Sequence, residues 1–374
     1  MRILLVGGGT AGHIFPTISV AERLAQIVKP STELSIVCGS RELDHLLYQN
    51  TGFETIPLPV RGLVGVSWWR LPWHLLLLIW SCVRMCRSFY RHRPHVVIAS
   101  GGYVSVPVLL VSWLHRVPSV IFSGDAALGW ATRILAPLTT VATVAFRPAI
   151  GQISRTRCEL IGYPIRAMFE SPDRTAGRAA AGAPEGRPLV LVMGGSQGAH
   201  VINEALRTDL RRMLERAHVV HISGRTDYQS LLATRELLPG AMRTAYRLHD
   251  FIDDGFANLL AAANIVVSRA GATSVAELSA VGTAAVLIPG TFGASHQVKT
   301  AEAMVAAGAA VVLREQDLSP NKMANTVLRL LDDPDRLTEM GSASRTRGQP
   351  KAAQNIARIG LRLAHCSNEQ MGAK

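Results

Sequence analysis

Two stretches of the chain share one hydrophobic rhythm. "RILLVGGGTAGHIFPTISVAERLA", from Arg2, and "PLVLVMGGSQGAHVINEALRTDL", from Pro188, each open on a short unbroken apolar run. Each then passes through glycines into a segment with apolar residues at helical spacing. Apolar runs bounded by glycine predict strands buried on both faces, as in parallel sheets. Similar runs predict further strands at Leu34–Cys38, His95–Ala99, Ser119–Phe122, Val219–Ile222, Ile265–Val267 and Ala285–Ile288. Strands alternating with helices are βαβ units, so the pattern predicts an α/β chain of two Rossmann-like, doubly wound parallel-sheet domains. The expected domains are 1–164 and 165–344, with a helix at about 345–366 packing back on the first. "SPDRTAGRAAAGAPEGRP", from Ser171, has no apolar stripe and reads as a surface excursion early in the second domain.

One stretch breaks the rhythm. "SWWRLPWHLLLLIW", residues 67–80, crowds four tryptophans against a block of leucines. Its apolar run falls short of the ~18–20 residues a spanning helix needs, and Pro72 and His74 interrupt it. On a helical wheel over 74–91, Leu75, Leu78, Ile79, Cys82, Cys86 and Phe89 share one face, assigned to the core. The opposite face carries Leu76, Leu77 and Trp80, then Arg84, Arg87 and Arg91. With Trp68, Trp69 and Trp73 just ahead, this predicts a wedge in the headgroup layer with arginines among lipid phosphates. Cover by another chain or by the C-terminal helix is the alternative.

Charge sharpens that picture. The 374 residues carry a formal net charge of +12. No acidic residue occurs between Glu54 and Asp125, where seven arginines fall, so the charge reads as a patch toward an anionic surface. A nucleic-acid role lacks basic and aromatic residues interleaved on a known module. The five cysteines form no CxxC pair and the histidines show no ligand spacing, so reduced thiols and no metal are expected. "MRILLVGGG" reads as a first strand and not as a signal peptide.

The glycine turns hold the candidate chemistry. Gly7, Gly9 and Gly12 fit GxGxxG. The acidic residue expected at the tip of the second strand is missing, and Glu42 comes only after a turn, so no nicotinamide or flavin cofactor is expected. Such turns still suit an anion, because backbone N–H groups and a helix N-terminus converge there. Thr10 and His13 crowd the first turn. The turn at Gly194–Gly198 adds the Ser196 hydroxyl. A third turn, Ser268–Thr273, precedes Glu277. Ser274 and Glu277 have capping-box spacing. Alternatively Glu277 takes two ribose hydroxyls, and spacing alone leaves both readings open.

Taken in order, "GGTAGHIFP" (8–16), "GGYVS" (101–105), "GYPIR" (162–166), "GGSQGA" (194–199), "FIDD" (251–254), "SRAGATSVAE" (268–277) and "HQ" (296–297) resemble the MurG family. The resemblance implies a GT-B fold with an interdomain cleft, and an inverting transfer of N-acetylglucosamine (GlcNAc) from UDP-GlcNAc. The implied acceptor is undecaprenyl-diphospho-MurNAc-pentapeptide (lipid I), at the cytoplasmic face of the cell membrane. It implies acceptor contacts from Gly9, Thr10, Gly102, Tyr103 and Ser105. It implies donor contacts from Thr10, Ala11, Gly12, Asp125, Arg166, Ser196, Ile252, Ala272, Thr273, Glu277, His296 and Gln297. The sequence departs from the family at Phe122–Asp125, "FSGD", where His-Glu-x-Asn is usual. It departs again at Thr300, usually asparagine, and at Tyr163, usually small or polar. With the glutamate position occupied by Ser123, His13 is the first candidate for the base and Asp125 the second. A GT-B transferase with another donor or acceptor, and a non-catalytic membrane-bound scaffold, are the competing readings.

Overall fold

The chain divides into two units, Met1–Ala167 with Lys351–Lys374, and Met168–Pro350. The computed structural model describes all residues except 64–65, 126, 196–197, 291–293 and 373–374.

The first unit is built on seven strands: β1 (Arg2–Val6), β2 (Glu33–Gly39), β3 (Glu54–Leu58), β4 (Val96–Ala99), β5 (Ser119–Ser123), β6 (Val141–Val144) and β7 (Arg157–Leu160). They pair in parallel in the order β3-β2-β1-β4-β5-β6-β7. Between them run α1 (Ala11–Ile27), α2 (Glu42–Tyr48), α3 (Leu71–His92), α4 (Ser105–Leu114), α5 (Trp130–Leu135) and α6 (Arg147–Ile150). Period-two alternation divides the strand residues between two faces. Leu4, Val6, Val97 and Ile121 pack with Met85 and Phe89 of α3 and Val108 of α4. Each fully buried side chain of this kind stabilises the unit by about 1.5–3 kcal/mol.

The second unit has six parallel strands: β8 (Leu189–Met193), β9 (His218–Ile222), β10 (Tyr246–His249), β11 (Ile265–Ser268), β12 (Ala285–Leu287) and β13 (Ala310–Val312). Their order is β10-β9-β8-β11-β12-β13. Its helices are α7 (Arg174–Ala181), α8 (His200–Arg216), α9 (Arg225–Glu236), α10 (Gly240–Ala245), α11 (Phe256–Ala262), α12 (Ala272–Val281), α13 (Ala294–Ala306), α14 (Lys322–Leu331) and α15 (Pro334–Thr346). The last helix, α16 (Ala352–Gly372), belongs to the first unit, where it packs on α1, β4 and β5. Gly360 allows that approach: a Cβ there would lie 2.4 Å from Ile98 Cδ1.

Each sheet reverses direction of winding beside its first strand, between β1 and β4 and between β8 and β11. Ligands of open parallel sheets bind at the carboxyl ends of strands at such points. The turns after β1, β4 and β5, and after β8 and β11, are therefore where chemistry belongs.

Two expectations about elements need correction. The core face of α3 centres on Ser81, Met85 and Phe89, all buried. Leu75 and Ile79, assigned to the core, are 41% and 58% exposed, and Leu77, assigned outward, is half-buried. The helix carries more large apolar residues than the sheet can cover, so the largest side chains are a poor guide to its inner face. Ser81 is tolerated inside because its hydroxyl donates to the Leu77 carbonyl at 2.7 Å. The Ala/Arg-rich excursion is likewise a seated helix. Asp173 caps α7 by accepting from the N–H groups of Thr175 and Ala176, and Gly182 closes it at φ +66°. Gly177 packs on α11, with a Cβ position only 2.1 Å from the Asn258 carbonyl oxygen. A contact made through glycine and alanine leaves no apolar stripe.

Candidate functional site

In the first unit, β1 runs into Gly7-Gly8-Gly9-Thr10. Gly9 has φ +86°, a conformation suited to glycine. Its N–H donates to Asp44 Oδ1 at 2.9 Å, and the same oxygen accepts from Gly39 N–H at 2.9 Å. Asp44 is fully buried. The Tyr103 hydroxyl covers the other side: a Cβ on Gly9 would lie 2.6 Å from it. The backbone approach that a dinucleotide would need is thus filled by a carboxylate and a phenol. Gly9 is left with a conformational role, and its N–H is not an open donor. Donors for an anion fall one step later. Thr10 is the N-cap of α1 and makes no side-chain cap, so the first-turn N–H groups at Ala11 and Gly12 lack one.

His13 follows directly. Its Nδ1 lies 2.6 Å from the Ser100 carbonyl oxygen at the end of β4. A carbonyl only accepts, so Nδ1 carries the proton and Nε2 keeps its lone pair. Burial lowers the His13 pKa below 6.5, opposed by the Asp125 charge and by the Ser100 bond. The imidazole is therefore neutral at pH 7, in a fixed tautomer, near a carboxylate able to stabilise its protonated form. Gly102, at φ +75°, packs against the ring; a Cβ there would lie 2.8 Å from Cδ2. Ser105 does not present a hydroxyl to a ligand as expected: it is buried and donates to the Gly101 carbonyl at 2.6 Å. It shapes the glycine turn instead. The Arg41 guanidinium stacks over the Tyr103 ring, 5.3 Å from its centroid. Burial pushes the Tyr103 phenol up, and Arg41 works against it. The Arg166 guanidinium lies 4.7 Å from the Phe15 ring centroid, beside the first turn of α1. Ser123, in the family's glutamate position, is buried at the end of β5 and offers no carboxylate.

In the second unit the turn after β8 is equally tight. Gly194 has no room for a side chain, since a Cβ would lie 2.2 Å from Ala199 N. Ser196 lies outside the described residues. α8 begins after Ala199 with no side-chain cap, again leaving first-turn donors. A buried relay braces this turn. Tyr246 Oη is 2.8 Å from His221 Nδ1, and His221 Nε2 is 2.9 Å from Asn203 Oδ1. Asn203 Nδ2 donates to the Ser223 carbonyl at 2.9 Å and to Asp227 at 2.7 Å. Burial drops the His221 pKa to about 3.

The turn after β11 leads into α12, whose N-cap is Gly271. Ser274 thus lies inside the helix, and the capping-box reading of Ser274 and Glu277 fails. Glu277 is buried, with 5% exposure, while Ala272 and Thr273 are partly exposed at the helix start. Gln297 Oε1 accepts from Gly290 N–H at 2.8 Å. His296 Nδ1 is buried with no hydrogen-bond partner among the described residues. Thr300 donates to the His296 carbonyl at 2.9 Å. Ile252, in the turn after β10, is half-buried.

Residues 3–144 match the glycosyltransferase family 28 N-terminal domain, and residues 189–356 its C-terminal domain. A protein of Alkalilimnicola ehrlichii is 36% identical over 371 residues, covering 97% of this chain and 99% of its own. One of Anaeromyxobacter sp. (strain K) is 34% identical over 374 residues, covering 97% and 93%. Both are named UDP-N-acetylglucosamine–N-acetylmuramyl-(pentapeptide) pyrophosphoryl-undecaprenol N-acetylglucosamine transferase. The chain belongs to the MurG family. The crystal structure of Acinetobacter baumannii MurG shares its fold, with TM-score 0.74 at 22% identity over 96% of this chain and 99% of that one.

Within this MurG-family frame, three residues escaped the sequence reading. Asp44 is the acid that seemed missing after β2. It reaches the glycine turn from α2, where its spacing from the strand gave no signal. Arg269 lies in the motif at 268–277, where its residue type alone points to no partner. It pairs with Glu315 and donates to the Ile288 carbonyl at 3.2 Å, bracing the approach to Gly290. Tyr163 was visible only as a departure from the family pattern.

Proposed function

We propose that this chain transfers GlcNAc from UDP-GlcNAc to the MurNAc hydroxyl of lipid I, in one inverting displacement that forms a β1,4 link. One observation carries the mechanism: a neutral His13 whose proton is held at Nδ1 by the Ser100 carbonyl. Its Nε2 lone pair takes the proton of the attacking hydroxyl, and Asp125 stabilises the imidazolium. The acceptor diphosphate meets Thr10 and the first-turn amides of α1, with Tyr103 beside them.

On the donor side, Arg166, the Ser196 turn and the Ala272–Thr273 helix start hold the UDP diphosphate. Preorganised donors of this kind stabilise charge as it develops on the leaving group. Glu277 takes the ribose, Ile252 offers backbone to the uracil edge, and His296 with Gln297 reads the sugar. The exposed tryptophans and arginines of α3 seat the first unit on anionic lipid at the cytoplasmic face of the membrane. No described helix is long and apolar enough to cross a membrane.

The test is transfer of labelled GlcNAc to a lipid I analogue. Removing the base in His13→Ala lowers kcat by about 10²–10⁴-fold, with UDP binding retained. Equal rates for wild type and His13→Ala would place the base elsewhere. UDP binding without any transfer by the wild type would favour a scaffold.

A further inference from the structure

α1 contains a proline, Pro16. A proline inside a helix has no N–H, so the carbonyl four residues earlier loses its donor. That carbonyl belongs to Gly12. It is satisfied from outside the helix, by the Tyr163 hydroxyl at 3.0 Å. The Tyr163 ring fills a second space. A Cβ on Gly124 would lie 2.4 Å from Tyr163 Cε2, and Phe122 meets the ring edge-on with centroids 5.6 Å apart. Gly124 lies outside the left-handed region, so the ring alone excludes a side chain there. Gly12 immediately precedes His13, and Gly124 immediately precedes Asp125. One buried side chain therefore holds the backbone beside both chemical groups.

We propose that Tyr163 is a positioning residue for the transfer reaction. It supplies the donor that Pro16 withholds from Gly12, and it keys onto Gly124. Together these contacts fix His13 relative to Asp125. The inference rests on the reading of His13 as the base. It also joins two departures from the family pattern, Tyr163 and the Phe122–Asp125 segment, into one packed unit. The large ring at 163 requires the missing side chain at 124.

The experiment uses the full chain, with transfer kinetics and thermal midpoints measured on the same preparations. Tyr163→Phe keeps the ring and loses the donor. It lowers kcat roughly fivefold, as expected for one hydrogen bond, with KM for UDP-GlcNAc unchanged. In a Pro16→Ala background, where an amide again reaches Gly12, the same change has no effect on kcat. Gly124→Ala collides with the ring and lowers both kcat and the midpoint, whereas in a Tyr163→Ser background, which lacks the ring, the same change lowers neither any further. An unaltered Gly124→Ala, an equal Gly124→Ala penalty in the wild-type and Tyr163→Ser backgrounds, or an equal Tyr163→Phe penalty in both of its backgrounds overturns the proposal. A wild type that transfers nothing overturns the functional reading, while the midpoints still decide whether Tyr163 couples the two turns.

Discussion

The His13 imidazole shows how much a single carbonyl can decide. Ser100 fixes the tautomer, burial keeps the ring neutral, and Asp125 pulls the pKa part of the way back. As the proposed base, His13 works above its pKa, so the acidic limb of kcat/KM is expected below pH 6.5. Asp125→Asn removes the charge that raises this pKa. The limb then moves to still lower pH, while kcat falls because the imidazolium loses its partner. A pH–rate profile of the two proteins checks both directions; a limb that stays put dissociates Asp125 from His13. His13 stood out because it crowds a glycine turn at a strand end, and Asp125 entered as the surviving polar position of the family's segment after β5. Sequence alone ranked His13 first but gave neither the tautomer nor the burial, which depend on Ser100, distant in sequence.

At the scale of elements, α3 joins core and surface. Its inner residues pack on the sheet, while Leu76, Ile79, Trp80 and Val83 lie 51–62% exposed. α4 packs against α3 and α5 against α4, and they add Trp113, Leu114, Trp130 and Ile134 to the exposed apolar surface. A monomeric soluble surface rarely leaves so many large apolar groups uncovered. Replacing Ile79 and Trp80 together by glutamate is expected to reduce binding to anionic vesicles at least tenfold, each charge costing about 1 kcal/mol or more in the lipid boundary. Transfer to a short-chain soluble acceptor is unaffected, and flotation with liposomes measures the difference. The interior strands β1, β2, β4, β5, β8, β9, β11 and β12 were legible because apolar runs mark strands covered on both faces. β3, β7 and β10 were not: they are edge strands, one carrying Pro57 and the others the polar patterns RCEL and YRLH. β6, with the sequence VATV, has its apolar run broken by Thr143, and β13 is a further edge strand.

At the scale of the whole molecule, buried neutral histidines set the response to acid. His218 and His221 of the second unit, both buried, have lowered pKa values, with burial as the largest cause. An unfolded histidine takes up its proton near pH 6.5, before the folded one does. Stability is therefore full above that pH and declines as the pH falls toward about 3, the folded value for His221. One such group removes about 1.4 kcal/mol per pH unit across that window. Denaturant melts at pH 7, 5.5 and 4 are expected to show the decline, and His221→Gln to flatten it. An unchanged slope in that variant would assign the acid sensitivity to other groups.

The return of α16 to the first unit separates the order of synthesis from the order of folding. Residues 168–350 form the second unit as one unbroken run, whereas the first needs residues from 351 onward. On the ribosome, the sheet translated last can close first. The earlier sheet waits with Ile98 bare until Gly360 emerges to cover it. A nascent chain arrested before α16 thus carries one finished half and one sticky half, the kind of client that chaperones retain.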